Sequence, residues 1–257
     1  AHDGVAKLTE SPELLDESGR TQQAAGEFNQ AIATFNKLAS LQPLSPQPYI
    51  RLADVHMAAK NKDAASQSLR KALDIKPDLQ EAQRATIMLD VDSKNFQGAL
   101  STAQAMQKQS PKEPVGYVLE GDIHASQKNW DSAVLAYRGG LKQVASPELA
   151  IKLHSALQAS GKAAEAERFA VSWQKDSPKD VVFLLYLGDR AIALNDFSNA
   201  EKNYLAVIKV QPGNAVAYNN LAWVTGRLNK NGAIGLAEKA NAIAPNQPAF
   251  MDTLAVL

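Results

Sequence analysis

Prolines that follow alanine-rich stretches recur in this chain at a nearly constant interval, and that interval constrains the fold more than any other feature. They stand at Pro43, Pro77, Pro111, Pro178, Pro212 and Pro245, with separations of 34, 34, 67, 34 and 33 residues. The double-length gap holds one further repeat, in which Ala145 takes the place of the proline. Proline cannot continue a helix interior and pushes the preceding residue out of helical geometry, so each one marks a helix end. A fixed period of this length makes each copy one supersecondary unit that buries its apolar side against its neighbours. Repeats begin near Pro12, Pro46, Gln80, Pro114, Pro147, Val181 and Ala215, and an eighth opens at Pro248.

Inside the frame the residues suit two packed antiparallel helices. The first helix carries a large residue next to a small one: Leu52 with Ala53, Leu187 with Gly188, Leu221 with Ala222, Leu254 with Ala255. The small member lets a second helix come close. That second helix has alanine at one fixed place, Ala31, Ala65, Ala99, Ala133, Ala166, Ala200 and Ala233. Four residues on, on the same face, stand Phe35, Leu69, Ala103, Tyr137, Ala170, Tyr204 and Ala237. Short polar turns such as Ala59-Lys60-Asn61-Lys62 and Leu194-Asn195-Asp196 separate the helices. In four repeats an aromatic residue, Phe28, Phe96, Trp130 or Phe197, follows to wedge the turn. The third repeat, with Thr86 and Ile87 at the large-small pair, and the fifth, with His154 at the small place, are expected to pack less well.

These residues resemble the tetratricopeptide repeat (TPR) family from about Pro12 to Leu257, most of all at Tyr218 to Pro245, YNNLAWVTGRLNKNGAIGLAEKANAIAP. The resemblance implies an all-α fold, a right-handed superhelix or α-solenoid of antiparallel helix pairs. About seven repeats and the first helix of an eighth would follow an N-terminal tail over residues 1–11. A helix bundle shares the amphipathic periodicity but has no reason to repeat at this interval. The family's usual role is to bind protein. The end of the chain, from Ala222 onward, is similar to bacterial envelope TPR proteins linked to exopolysaccharide export, and most to the TPR lipoproteins of the PEP-CTERM/exosortase system. That resemblance implies a periplasmic or outer-membrane-associated scaffold. A cytoplasmic adaptor for a regulatory peptide, or a repeat module cut from a larger enzyme, remain the alternatives.

Composition removes other classes. Lysine plus arginine equals aspartate plus glutamate at 27 each, so no net field draws the chain to nucleic acid or anionic lipid. No apolar run approaches the roughly 18 residues of a transmembrane helix, and the most apolar stretch, from Val181 to Leu187, ends at Gly188-Asp189-Arg190. The absence of cysteine excludes disulfides, thiolate metal sites and cysteine nucleophiles. Histidine occurs only at positions 2, 56, 124 and 154, with no HExxH spacing and no glycine-rich phosphate loop. His56 and His124 share one repeat position, which favours a packing role. No catalytic residue, metal or cofactor is expected, and the chain is read as a binding protein rather than an enzyme.

In the superhelix that the resemblance implies, the first helix of each pair lines the concave wall. The second, fifth, ninth and twelfth places of each repeat share one face of that helix. They supply Val115, Val118 and Asp122 in the fourth repeat and Ile151 in the fifth, beside the more polar Glu148, Ser155 and Gln158. The sixth gives Val182, Leu185, Asp189 and Ile192, and the seventh Val216, Asn219 and Trp223. Early repeats are polar here, with Glu13, Asp16, Arg20, Glu81 and Arg84. An apolar path flanked by charge is therefore expected in the C-terminal half, to hold a protein or peptide partner, with Trp223 its strongest anchor. The competing reading is that the valines pack between neighbouring helices and Trp223 is a core residue. A TPR subclass that grips chaperone C-terminal carboxylates uses lysines and asparagines in the groove. Asp54, Asp122 and Asp189 at the ninth place would repel that ligand.

Two mechanical expectations complete the reading. The missing proline and the Gly139-Gly140 pair place a weak joint near residues 139–147, with His154 crowding the helix beyond. At the other end, Met251, Leu254, Ala255 and Leu257 follow the pattern of a first helix without its partner. That edge is expected to associate with a second copy, or to be covered by further chain.

Overall fold

The structure is a computed structural model and describes residues 11–257; the expected tail and His2 lie outside the described residues, save Ser11. Among the described residues there are fifteen α-helices and no strand. They fall into two compact units, one ending at Asn129 and one beginning at Trp130. The first unit comprises α1 (Pro12–Ala24), α2 (Phe28–Leu41), α3 (Gln47–Ala58), α4 (Lys62–Ile75), α5 (Gln80–Asp92), α6 (Phe96–Gln109) and α7 (Val115–Ser126). Each packs on the next in chain order. The second comprises α8 (Trp130–Gln143), α9 (Pro147–Ala159), α10 (Ala163–Asp176), α11 (Val181–Ala193), α12 (Phe197–Val210), α13 (Ala215–Arg227), α14 (Ala233–Ile243) and α15 (Pro248–Val256). Here too consecutive helices pack on one another, except for a sparse approach between α10 and α11; α9 also packs on α11, and α13 on α15.

The turn inside each repeat has one chemistry. The first helix ends in a residue of left-handed conformation, at Gly26, Lys60, Lys94, Lys128, Gly161, Asn195 and Asn229. The next amide reaches back to a carbonyl of the last helical turn: Asn61 N–H to His56 O at 2.8 Å, Asn95 N–H to Asp90 O at 2.7 Å, Asp196 N–H to Ala191 O at 2.8 Å. This left-handed cap satisfies carbonyls that the helix end leaves open. The residue that follows then starts the second helix. Asn61, Asn95 and Asp196 accept from the amides of Ala64, Gly98 and Asn199 at 3.1, 3.2 and 3.2 Å. Such side-chain caps satisfy the orphan donors of the helix start. Phe28, Phe96 and Phe197 open α2, α6 and α12 and pack on the adjacent cores.

The fixed alanines Ala31, Ala65, Ala99, Ala133, Ala166 and Ala200 are each fully buried, and Ala233 is nearly so. The contact between the helices of a pair is a balance of volumes. Gly19 faces the Phe35 ring, and Gly188 faces Tyr204, where an added Cβ would lie 2.7 Å from Cε1. Ala53 shares a core with Leu69. In the third repeat Ile87 shares one with Ala103, and in the fifth His154 and Ala170 are both buried. In each of these five repeats a large residue on one helix meets a small one on the other, as close packing requires. The expected poor packing of the third and fifth repeats is therefore corrected: Ala103 and Ala170 make the room that Ile87 and His154 fill.

At the expected weak joint, α8 runs unbroken through Gly139 and Gly140, and α9 packs along it. Ser146 caps α9 by accepting from Leu149 N–H at 3.3 Å. The sparsest backbone approach between consecutive helices of the second unit lies between α10 and α11. The two are bridged by rings: Phe183 meets Phe169 at 6.3 Å and Trp173 at 6.2 Å between centroids.

Candidate partner-binding cleft

Helices α9 and α11 are the first helices of the fifth and sixth repeats, and they pack side by side. Both starts are pinned. Pro147 occupies the first turn of α9, where its missing N–H costs nothing. Asp180 caps α11 by accepting from Phe183 N–H at 3.0 Å, and its other oxygen accepts from Trp173 Nε1 at 2.8 Å. Between the two helices lies an open cleft of about 590 Å³. Ile151 and Ser155 line it from α9, and Val182, Leu185, Tyr186, Asp189, Arg190 and Ala193 from α11. The α11 positions recur at three- and four-residue steps, one face of a helix.

The floor is rigid. Tyr186 Oη lies 2.7 Å from His154 Nδ1 and 2.9 Å from Ser155 Oγ, and its ring meets Phe183 at 5.8 Å. Burial pushes the Tyr186 phenol upward, so it stays protonated. His154 is fully buried. Burial first, and then the charge of Arg190, pull its pKa down to about 4, which leaves the imidazole neutral near pH 7. Asp189 holds the next repeat: its Oδ1 accepts from Tyr204 Oη at 2.5 Å and from Asn220 Nδ2 at 3.2 Å. Tyr204 is raised by burial and then by that carboxylate.

Of the residues singled out in the sequence, Ile151, Val182, Leu185 and Asp189 come together in this cleft. Val182 is half exposed, while Leu185 also packs on the core of α11, α12 and α13. Ile192 packs on that same core. On α13, Val216 is exposed, and Asn219 donates to Asn220 Oδ1 at 3.2 Å while its own Oδ1 is buried without a partner. Trp223 is partly buried; its ring meets Phe197 edge-on at 5.6 Å and lies 5.4 Å from the Arg227 guanidinium. The indole expected to anchor the groove takes part in this intrachain stack. In the first unit Val118 is 6% exposed and Val115 packs on the α5–α6 core. Val118 is thus buried, and Val115 is engaged in that core. Asp122 stands on α7, half-buried.

Sequence reasoning missed Tyr186, Arg190 and Ala193. Its face advanced from Val182 by way of Leu185 and Asp189. The neighbouring row, Val182, Tyr186, Arg190, borders the same cleft because a helical face about 100° wide takes in both. Among the described residues no helix is long and apolar enough to cross a membrane.

A profile of the tetratricopeptide repeat family matches residues 22–87, from the end of α1 into α5. Among solved structures, the C-terminal part of a TPR repeat-containing protein from Cytophaga hutchinsonii is similar at 17% identity. That likeness covers 93% of this chain and 98% of the other, with a TM-score of 0.53. A tetratricopeptide repeat protein from Parabacteroides merdae is similar at 15% identity over 95% of this chain and 98% of the other, with a TM-score of 0.50. No curated protein matches the sequence significantly. The fold shared with these structures is that of the TPR solenoids.

Proposed function

We propose that this chain is a protein-binding scaffold that holds a segment of another protein in the cleft between α9 and α11. The single observation that carries the reading is the cleft's composition. Apolar groups from two repeats, Ile151, Val182 and Leu185, border an open concave surface with Asp189 and Arg190 at its side. Apolar contact supplies the affinity of such a surface and flanking charge sets register and partner choice. A segment with two apolar anchors and charged residues beside them fits it. The proposed setting is a periplasm-facing bacterial assembly for exopolysaccharide export, supported by the resemblance of the segment from Ala222 onward to TPR lipoproteins of the PEP-CTERM/exosortase system.

The test selects peptides from a displayed random library on the wild-type chain and measures each on Val182→Asp and Leu185→Asp. Burying an aspartate against an apolar anchor desolvates a charge without a partner. A loss of at least about tenfold, or 1.4 kcal/mol, is expected in both variants. Peptides that bind both variants as tightly as the wild type refute the cleft as the binding surface.

A further inference from the structure

One carboxylate at the rim of the partner cleft is held in place and left without a counter-ion. Asp189 is exposed on α11 and borders the cleft, yet it is not free to swing. Its Oδ1 accepts from Tyr204 Oη at 2.5 Å and from Asn220 Nδ2 at 3.2 Å. The Tyr204 ring is fully buried, so this anchor is rigid, and Oδ2 takes no part in either bond. Both donors are neutral, an amide and a phenol that burial keeps protonated. Among the described residues no basic side chain pairs with Asp189.

Another repeat is built differently at the same place. Arg51 stands at the sixth place of the second repeat, as Asn220 does in the seventh. Arg51 Nε donates to Asp16 Oδ1 at 2.8 Å and its Nη2 to Asp16 Oδ2 at 3.3 Å, which neutralises a carboxylate of the preceding repeat within the chain. With an amide in place of the guanidinium, Asp189 is oriented but keeps its charge. Arg190 does not take over that role. Successive helix residues lie about 100° apart, and Arg190 is turned to the α9 side, where its charge acts on His154 and Tyr186. Asp189 is turned to α12 and α13. The cation-seeking rim is therefore the one beside α13. Leu185, Asp189 and Ala193 follow one another along α11 at four-residue steps, about 6 Å apart. A side chain seated on Leu185 or Ala193 brings the residue two further on in an extended segment, or four further on in a helix, beside the carboxylate. A charge already oriented loses little freedom on pairing, and a neutral or acidic partner gains nothing from it.

We propose that the segment held in the cleft carries a lysine or arginine about 6 Å from one of its apolar anchors, and that Asp189 selects it. This rests on the cleft being the binding surface, and the test separates the two. Random displayed peptides are selected in parallel on the wild-type chain, Asp189→Asn and Asn220→Arg. Asparagine keeps an oxygen for Tyr204 and removes the charge; Asn220→Arg leaves Asp189 intact and gives it an intrachain counter-ion, as Arg51 does for Asp16. Wild-type peptides are expected to be enriched in lysine or arginine at that spacing from an apolar residue. Both variants should keep the apolar residues and lose the enrichment. In the tightest wild-type peptide, replacing the basic residue by methionine should weaken binding to the wild type at least about threefold, as for an exposed ion pair. The same change should leave binding to either variant nearly unaltered, and the wild-type effect should shrink between about 0.05 and 0.5 M sodium chloride. Should Asp189→Asn fail to fold, Asn220→Arg decides alone. Peptides that lose affinity on Val182→Asp but show no basic preference, or the same preference on wild type and Asn220→Arg, overturn this proposal and leave the cleft as the binding surface. Peptides indifferent to Val182→Asp overturn both.

Discussion

Gly188 and Tyr204 offer the sharpest test of the volume balance that sets the helix pairs. An alanine at position 188 would bring its Cβ to 2.7 Å from Tyr204 Cε1 and 2.8 Å from Cζ, about 1 Å inside ordinary carbon contact. The ring cannot yield: it is fully buried and its hydroxyl is held at 2.5 Å by Asp189. Overpacking a rigid site costs up to about 3 kcal/mol. Alanine regains about 1 kcal/mol over glycine in a helix, so Gly188→Ala should destabilise by about 2 kcal/mol. Tyr204→Leu removes the ring edge and leaves Asp189 and Asn220 without the hydroxyl, a loss of roughly 3 kcal/mol. In that background an alanine faces a leucine, the combination that Ala53 and Leu69 already make in the second repeat. The clash disappears and only the helix preference remains. Gly188→Ala should then change sign and stabilise by up to about 1 kcal/mol, a coupling of about 3 kcal/mol between the two sites. Urea denaturation of the four proteins, followed by circular dichroism, measures the cycle. Additivity within about 0.5 kcal/mol would refute the argument that these two positions share one volume.

Other consequences can be measured separately. Gly139 and Gly235 lie within α8 and α14, and a Cβ on either meets nothing within 4 Å; Gly139→Ala and Gly235→Ala should each raise stability by about 1 kcal/mol in the same denaturation assay, and a loss at either would mean that the site needs the glycine. Lys94 holds a left-handed backbone at φ 61°, so Lys94→Gly should stabilise by roughly 1 kcal/mol, read as a higher urea midpoint. The unfolded His154 imidazole protonates near pH 6.5 and the folded one near about 4, so the unfolded chain binds more protons in between. Stability should therefore fall as pH drops through that window, by at most about 3 kcal/mol, and His154→Phe should flatten most of the slope; His56, also lowered by burial, adds a term of the same sign. Hydrogen exchange should open the α10–α11 contact no later than residues 135–155, because rings rather than close backbone packing join it; faster exchange at residues 135–155 would place the weak point at the glycine-rich joint.

The sequence by itself determined the repeat, its helix starts and the faces that meet. A period in proline, alanine and turn residues is a local property, and each copy packs only on its neighbours. Even the balance at the helix contact was written there, since Ala103 and Ala170 stand opposite Ile87 and His154, but reading it required comparing two helices rather than one. What only the tertiary structure decided is how each side chain is shared between competing neighbours. Val118, Ile192 and Trp223 occupy places on the expected groove face, yet the approach of adjacent helices draws them into cores and stacks. Ile151, Val182 and Leu185, at equivalent places, keep an open side because α9 and α11 leave a cleft between them. The buried His154 with one nitrogen satisfied and the other free is likewise a product of three elements meeting. Periodicity fixes which face a residue occupies; the separation of the helices facing it, a sum over side-chain volumes from several repeats, fixes whether that face is covered.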